Sequence, residues 1–154
     1  MNLNKVFDFI KEKRGYPYPL IYKLIKGLPL SKDELNINGS LDLRYTNITY
    51  LPDNLKVSGD LDLYNTNIES LPDNLTVWGY LDLQYTNIKS LTDNLSVGEN
   101  LDLYASHIAS LPSKLKVGGK LDLRHTPLSK MYSEEQIRKM IDDKGGEIKG
   151  NIYT

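Results

Sequence analysis

The sequence predicts an α+β repeat protein, a β-solenoid of five twenty-residue coils and a partial sixth, closed by helices at both ends. Three observations carry this. First, a block of twenty residues is written five times in succession, most clearly as Leu55 to Asn74 (LKVSGDLDLYNTNIESLPDN) and Leu75 to Asn94 (LTVWGYLDLQYTNIKSLTDN), with fainter copies from Leu35, Leu95 and Leu115. A unit this short cannot bury its own apolar residues, so the copies must stack and share one continuous core. Second, apolar and polar letters alternate within each copy with the period of a strand: Val77, Leu81 and Leu83 fall on one face, and Trp78, Tyr80, Asp82 and Gln84 on the other. Third, the flanks lack the repeat and carry helix signals.

Residues 1–34 read as a helical amino-terminal cap. Val6, Phe9 and Ile10 share one helical face, Gly15, Pro17 and Pro19 break it, and Leu20 to Lys26 forms a second short helix. Residues 35–132 are the coils. Residues 133–154 form the carboxy-terminal cap, which begins with a capping box because Ser133 is followed by Gln136 at N3, with Glu134 and Glu135 complementing the helix dipole. The helix should run to about Lys144 and stop at Gly145 and Gly146. Beyond it, Ile148-Lys-Gly150-Asn-Ile152-Tyr-Thr154 repeats the spacing of Val117-Gly-Gly119-Lys-Leu121-Asp-Leu123, which predicts the partial sixth coil. Covered ends leave no bare strand edge, so a monomer is expected.

Stacking turns each repeat position into a column. The inner columns are Leu41, Leu61, Leu81, Leu101, Leu121; Leu43, Leu63, Leu83, Leu103, Leu123; and Ile48, Ile68, Ile88, Ile108, Leu128. The outer face carries Asp42, Asp62, Asp82, Asp102 and Asp122, five carboxylates at strand spacing. Neighbours in such a row repel by about 0.9 kcal/mol even in bulk water, so something must offset the charge. Beside it stand Arg44, Tyr64, Gln84, Tyr104, Arg124, and on the other side Ser40, Asp60, Tyr80, Asn100, Lys120. Gly39, Gly59, Gly79 and Gly119 recur two residues before Leu-Asp-Leu, which signals a tight bend or a close backbone approach; Glu99, preceded by Gly98, breaks the series.

The unit L-D-L-x-x-T-x-I-x-x-L-P resembles the L-x-V-x-x-N-x-L-x-x-L-P core of bacterial leucine-rich repeats. It is closest in style to the twenty-residue repeats of secreted bacterial effectors and to repeat proteins of bacteria and their phages that lack an assigned activity. The resemblance covers about two-thirds of the chain and implies a curved right-handed solenoid whose parallel sheet lines a binding surface. The turn asparagine of that family is here Thr46, Thr66, Thr86, Ser106 and Thr126, so hydroxyls must satisfy the turn. No cysteine-dependent ligase domain of the kind some effectors carry accompanies the repeats.

For function, the outward face offers Asp42, Asp60, Asp62, Tyr64, Trp78, Tyr80, Asp82, Asp102 and Tyr104 as partner-binding residues. Three readings of the aspartates stay open: a relic of duplication whose members accept local hydrogen bonds, an acidic stripe that recruits a basic protein partner, or a calcium site. The last lacks the nine-residue period and glycine content of calcium-binding solenoids. Exposed aromatics ringed by polar groups, here Trp78, Tyr80, Tyr64 and Tyr104, have the composition of interface hot spots, whereas Tyr45 and Tyr85 sit at the bend after the strand, where packing on the turn is the alternative. The leading expectation is a non-enzymatic protein-interaction module, with an accessory or inhibitor protein of phage or bacteria as one form of it. The alternative is a carbohydrate-active solenoid enzyme or glycan binder that uses paired aspartates such as Asp60 and Asp62. Against catalysis, every coil repeats the aspartate and the repeat surface predicts no cleft. His107 and His125 lie in different columns and lack ligand spacing.

Composition narrows the classes. A net charge of −1 gives no reason to expect a nucleic-acid partner, and the chain has no cysteine, which removes disulfides, zinc-thiolate sites and thiol nucleophiles. No metal or cofactor is expected. The amino terminus shows no apolar export signal and no segment has the roughly 18 apolar residues of a membrane helix, so a cytoplasmic protein is expected.

Overall fold

The computed structural model describes residues 19–154. The expected helix around Val6, Phe9 and Ile10, and its break at Gly15 and Pro17, lie outside them.

The chain is a parallel β-solenoid. Helix α1 (Leu20–Lys26) leads into twelve two-residue strands: β1 (Asn36–Ile37), β2 (Leu41–Asp42), β3 (Lys56–Val57), β4 (Leu61–Asp62), β5 (Thr76–Val77), β6 (Leu81–Asp82), β7 (Ser96–Val97), β8 (Leu101–Asp102), β9 (Lys116–Val117), β10 (Leu121–Asp122), β11 (Glu147–Ile148) and β12 (Ile152–Tyr153). Helices α2 (Pro127–Met131) and α3 (Glu134–Asp143) fall between β10 and β11. Odd-numbered strands make one six-stranded parallel sheet and even-numbered strands a second. The register joins residues twenty apart: Leu41 to Leu61, Leu61 to Leu81, Leu81 to Leu101 and Leu101 to Leu121.

One expectation needs correction. The alternating run from Val77 to Gln84 is two strands in two sheets, β5 and β6, with a bend over Trp78 to Tyr80 between them. A coil that closes on itself in twenty residues must turn corners, and the recurrent glycines allow neighbouring coils to touch there. A Cβ on Gly79 would lie 2.7 Å from the Gly59 carbonyl carbon, and one on Gly98 would lie 1.9 Å from the Trp78 carbonyl oxygen. Lack of room for a side chain therefore selects glycine at Gly59, Gly79 and Gly119, and Gly98 has no room in the coil where Glu99 breaks the series, whereas Gly39 has open space around it and a left-handed φ of 113°.

The three inner columns are buried throughout, and three more join them: Leu51, Leu71, Leu91, Leu111; Leu55, Leu75, Leu95, Leu115; and Val57, Val77, Val97, Val117. Each such side chain contributes roughly 1.5 to 3 kcal/mol on burial. The hydroxyl turn behaves as expected, because Thr46, Thr66, Thr86 and Thr126 donate through Oγ1 to the carbonyl three residues back at 2.6–2.8 Å. Ser106 is buried at the same place with no partner for its Oγ among the described residues. Just before this column the chain takes a left-handed conformation at Tyr45, Asn65, Tyr85, Ala105 and His125.

After β10 the repeat gives way to α2, which the sequence reading did not separate from the fifth coil. Thr126 is its N-cap in a capping box with Ser129, and Pro127 follows. Helix α3 starts at the expected box, with the Ser133 and Gln136 side chains each bonded to the other's backbone. It buries Ile137 and Ile141, and its Arg138 donates to the carbonyls of Ile148 and Gly150 at 3.1 and 3.0 Å. The last strands pair in the anticipated register, Ile148 beside Val117 and Ile152 beside Leu121. No helix among the described residues is long and apolar enough to cross a membrane.

Candidate binding face

The second sheet places the aspartates side by side, Asp42 beside Asp62, Asp62 beside Asp82, Asp82 beside Asp102 and Asp102 beside Asp122. All five do the same local work. Each accepts through Oδ1 from the backbone N–H two residues on, that of Arg44, Tyr64, Gln84, Tyr104 and Arg124, at 2.9–3.1 Å. These bonds fix the exit from the strand and draw the carboxylates toward the protein; Asp82 and Asp122 are buried. The row is thus built into the turn, and only its outer oxygens face what lies above it.

Those outer oxygens are treated differently along the row. Arg44 donates to Asp42 at 2.6 Å and its Nε stands 3.3 Å from Asp62, while Arg124 pairs with Asp122 at 2.5 Å. The Arg44 guanidinium holds the Asp42 carboxyl below the usual carboxylate range. At the centre, Gln84 Nε2 donates to Asp82 at 3.1 Å, and the Tyr80 hydroxyl lies 3.3 Å from Asp82 and 3.1 Å from Asp102. With neutral donors only, burial pushes the Asp82 and Asp102 carboxyls above their ordinary range, and burial raises the Tyr80 phenol as well.

The column that begins at Ser40 also stitches coils together. Ser40 Oγ accepts from Asp60 N–H, Asp60 Oδ1 from Tyr80 N–H, and Asn100 Oδ1 from Lys120 N–H, at 2.8–3.0 Å. The Asp60 Oδ1 is thus engaged in holding the next coil.

The aromatics are organised in a way the sequence reading missed. Tyr45, Tyr64, Tyr85, Tyr104 and His125 form one edge-to-face ladder with ring centroids 5.3, 5.4, 5.6 and 4.9 Å apart. The rings come alternately from the two positions after the Leu-Asp-Leu strand, so the spacing runs 19, 21, 19, 21 residues. That alternation was the available signal, hidden because a strict twenty-residue register splits it between two columns. The left-handed turn at Tyr45, Tyr85 and His125 brings those rings level with Tyr64 and Tyr104. Tyr45 and Tyr85 are 69% and 48% exposed.

Trp78 does not join this group. It follows the first sheet's β5, is 53% exposed, and borders a shallow hollow with Ile37, Asn38, Lys56 and Ser58. The bend at Gly79 leaves Trp78 next to the first sheet's β5 and Tyr80 next to the second sheet's β6. The face also has a cleft, contrary to expectation: about 240 Å³ bounded by Tyr80, Asn100, Asp102, Lys120, Asp122 and Tyr153 over a floor at Leu101. It opens where β12 supplies Tyr153 in place of another repeat residue. Lys120 and Arg124 stand over the Tyr153 ring at 5.9 and 5.6 Å. Among the described residues no three His, Asp or Glu side chains are grouped as a metal ion would need.

No protein-family profile, curated protein or solved structure matches the chain.

Proposed function

We propose that the protein is a non-enzymatic interaction module that binds a protein partner along the second sheet, with the tyrosine ridge as its contact line. The observation that carries this reading is the ladder from Tyr45 to His125 with Tyr45 and Tyr85 exposed. Rigid aromatic rings already packed against each other lose little entropy on binding, and large amphipathic rings dominate protein interfaces. The aspartate row supports the ridge through its backbone bonds and lends it a negative flank. In this reading Asp42, Asp60, Asp62, Tyr64, Tyr80, Asp82, Asp102 and Tyr104 belong to one face, with Asp60 holding the coil that carries Tyr80, and Trp78 lies apart beside the first sheet.

The architecture proposed for the module is five coils and a partial sixth, wound right-handed in the manner of bacterial leucine-rich repeats, with α1 and α2–α3 as caps. The twenty-residue register and the burial of Ile137 and Ile141 support it. The cysteine-free sequence suits a cytoplasmic setting. Affinity capture tests the function: Tyr45→Ser with Tyr85→Ser should fold normally and lose the captured partner. A partner lost with Trp78→Ala and kept by the tyrosine variant would move the contact to the first sheet.

The cleft favours a second reading, a glycan binder or carbohydrate-active enzyme, since carboxylates beside aromatic rings suit hydroxyl-rich ligands. Turnover on a glycan panel that is lost with Asp102→Asn, in the cleft, would support the enzyme form; no turnover removes it.

A further inference from the structure

We infer that the cleft between Tyr80 and Tyr153 is a docking pocket for an arginine side chain of the protein partner, with Asp102 as its counter-ion. This rests on the interaction-module reading and names the chemistry its partner must carry.

Charge complementarity makes the argument. Five carboxylates stand in register, and among the described residues the guanidinium groups beside them come from the two ends: Arg44 pairs with Asp42 and Asp62, and Arg124 pairs with Asp122 and attracts Asp102 from beyond hydrogen-bond reach. Among the described contacts, Asp82 and Asp102 receive neutral donors alone. An ionised carboxylate accepts roughly four hydrogen bonds. Asp102 uses one oxygen for the Tyr104 N–H and shares the Tyr80 hydroxyl on the other, so it has capacity left on the side that faces the cleft.

The chain also shows how a guanidinium sits here. Arg124 forks onto Asp122 through Nε and Nη2 while its plane stands 5.5 Å from the Tyr104 ring and 5.6 Å from the Tyr153 ring. A planar cation held by carboxylate on one side and aromatic faces on the other is the arrangement an arginine satisfies better than a lysine. One coil away, the cleft sets Asp102 beside Tyr80 and shares the Tyr153 ring with Arg124 and Lys120, and among the described contacts no cation hydrogen-bonds to Asp102. Its volume of about 240 Å³ admits a guanidinium and part of its stem. Lys120 on the rim opposes any cation, and Asp122 inside the cleft favours one, although Arg124 already pairs with it.

The test uses N-acetyl-arginine methylamide as probe, followed by NMR shifts of the Tyr80, Asp102 and Tyr153 resonances, with the neutral citrulline and the lysine counterparts as controls. Saturable binding at those resonances, at least about tenfold tighter than for citrulline, supports the pocket, since a lost charged hydrogen bond weakens binding by about that factor. Asp102→Asn keeps the acceptor for Tyr104 N–H, so it should fold normally and weaken arginine binding about tenfold. Lys120→Gln should strengthen it, a gain that a misfolded variant cannot imitate. Equal binding of citrulline and arginine, or full binding by Asp102→Asn, overturns the pocket. If a captured partner is lost with Tyr45→Ser and Tyr85→Ser and kept by Asp102→Asn, the pocket fails and the interaction reading stands. If both variants keep the partner, both fail.

Discussion

Replacing Asp82 by asparagine should stabilise the protein, because the central carboxylate is buried, 6% exposed, between two others and among the described residues hydrogen-bonds to no cation. At the strand spacing of about 4.8 Å, each like-charged neighbour costs between about 0.9 kcal/mol in bulk water and about 3.5 kcal/mol at an effective dielectric constant near 20. Asparagine removes both repulsions. It keeps an Oδ1 for the Gln84 N–H, and its amide can still bond with Tyr80 and Gln84, with loss of the charge-assisted share of those bonds, about 1 kcal/mol in all. The two repulsions less that loss leave a gain of at least about 1 kcal/mol at pH 7, read as a higher urea midpoint with an unchanged slope. Acid supplies a check on the sign. A carboxyl held above its ordinary range binds its proton more tightly folded than unfolded, so wild-type stability contributed by Asp82 and Asp102 rises as pH falls from neutral through their raised pKa toward about 3.9, the unfolded value. The advantage of the variant should shrink over the same window. A variant less stable than wild type at pH 7, or a gain that does not depend on pH, would refute the view of the row as an uncompensated charge.

Leu81→Ala, in the middle of a wholly buried column, should cost about 2 to 5 kcal/mol in a urea melt, and a cost under about 1 kcal/mol would show that the coils do not share a packed core. Ser106→Thr should add about 1 kcal/mol by placing a hydroxyl in the position from which Thr86 and Thr126 reach their carbonyls, together with a buried methyl group; no rise in melting temperature would mean that Ser106 already finds a partner. Deletion of residues 133–154 removes the buried Ile137, Ile141, Ile148 and Ile152 and bares β9 and β10, so size-exclusion chromatography should show aggregation; a soluble monomer would contradict it.

The repeat made the solenoid and its core legible in advance. Residues twenty apart had to become neighbours, since no single unit holds enough apolar surface, and Leu61 beside Leu81 follows from that alone. Local chemistry was legible for the same reason: Ser133 with Gln136 spells a capping box wherever it occurs, and the threonine after each strand must place its hydroxyl on a nearby carbonyl. What the letters could not settle was where each coil bends. Two-fold alternation from Val77 to Gln84 fits one strand as well as two strands around a corner, and only the contact of Gly79 with the coil below decides for the corner, which separates Trp78 from Tyr80. The tyrosine ladder depends on the same kind of fact. Its rings come from two repeat positions and meet only because the left-handed turns bring the second position level with the first, while Tyr153 completes the cleft from a strand outside the regular repeat. Periodicity fixes which residues stack, because stacking is the only way to bury a short unit; the path of the backbone around the coil fixes which of them look the same way, and that path is set by packing between coils.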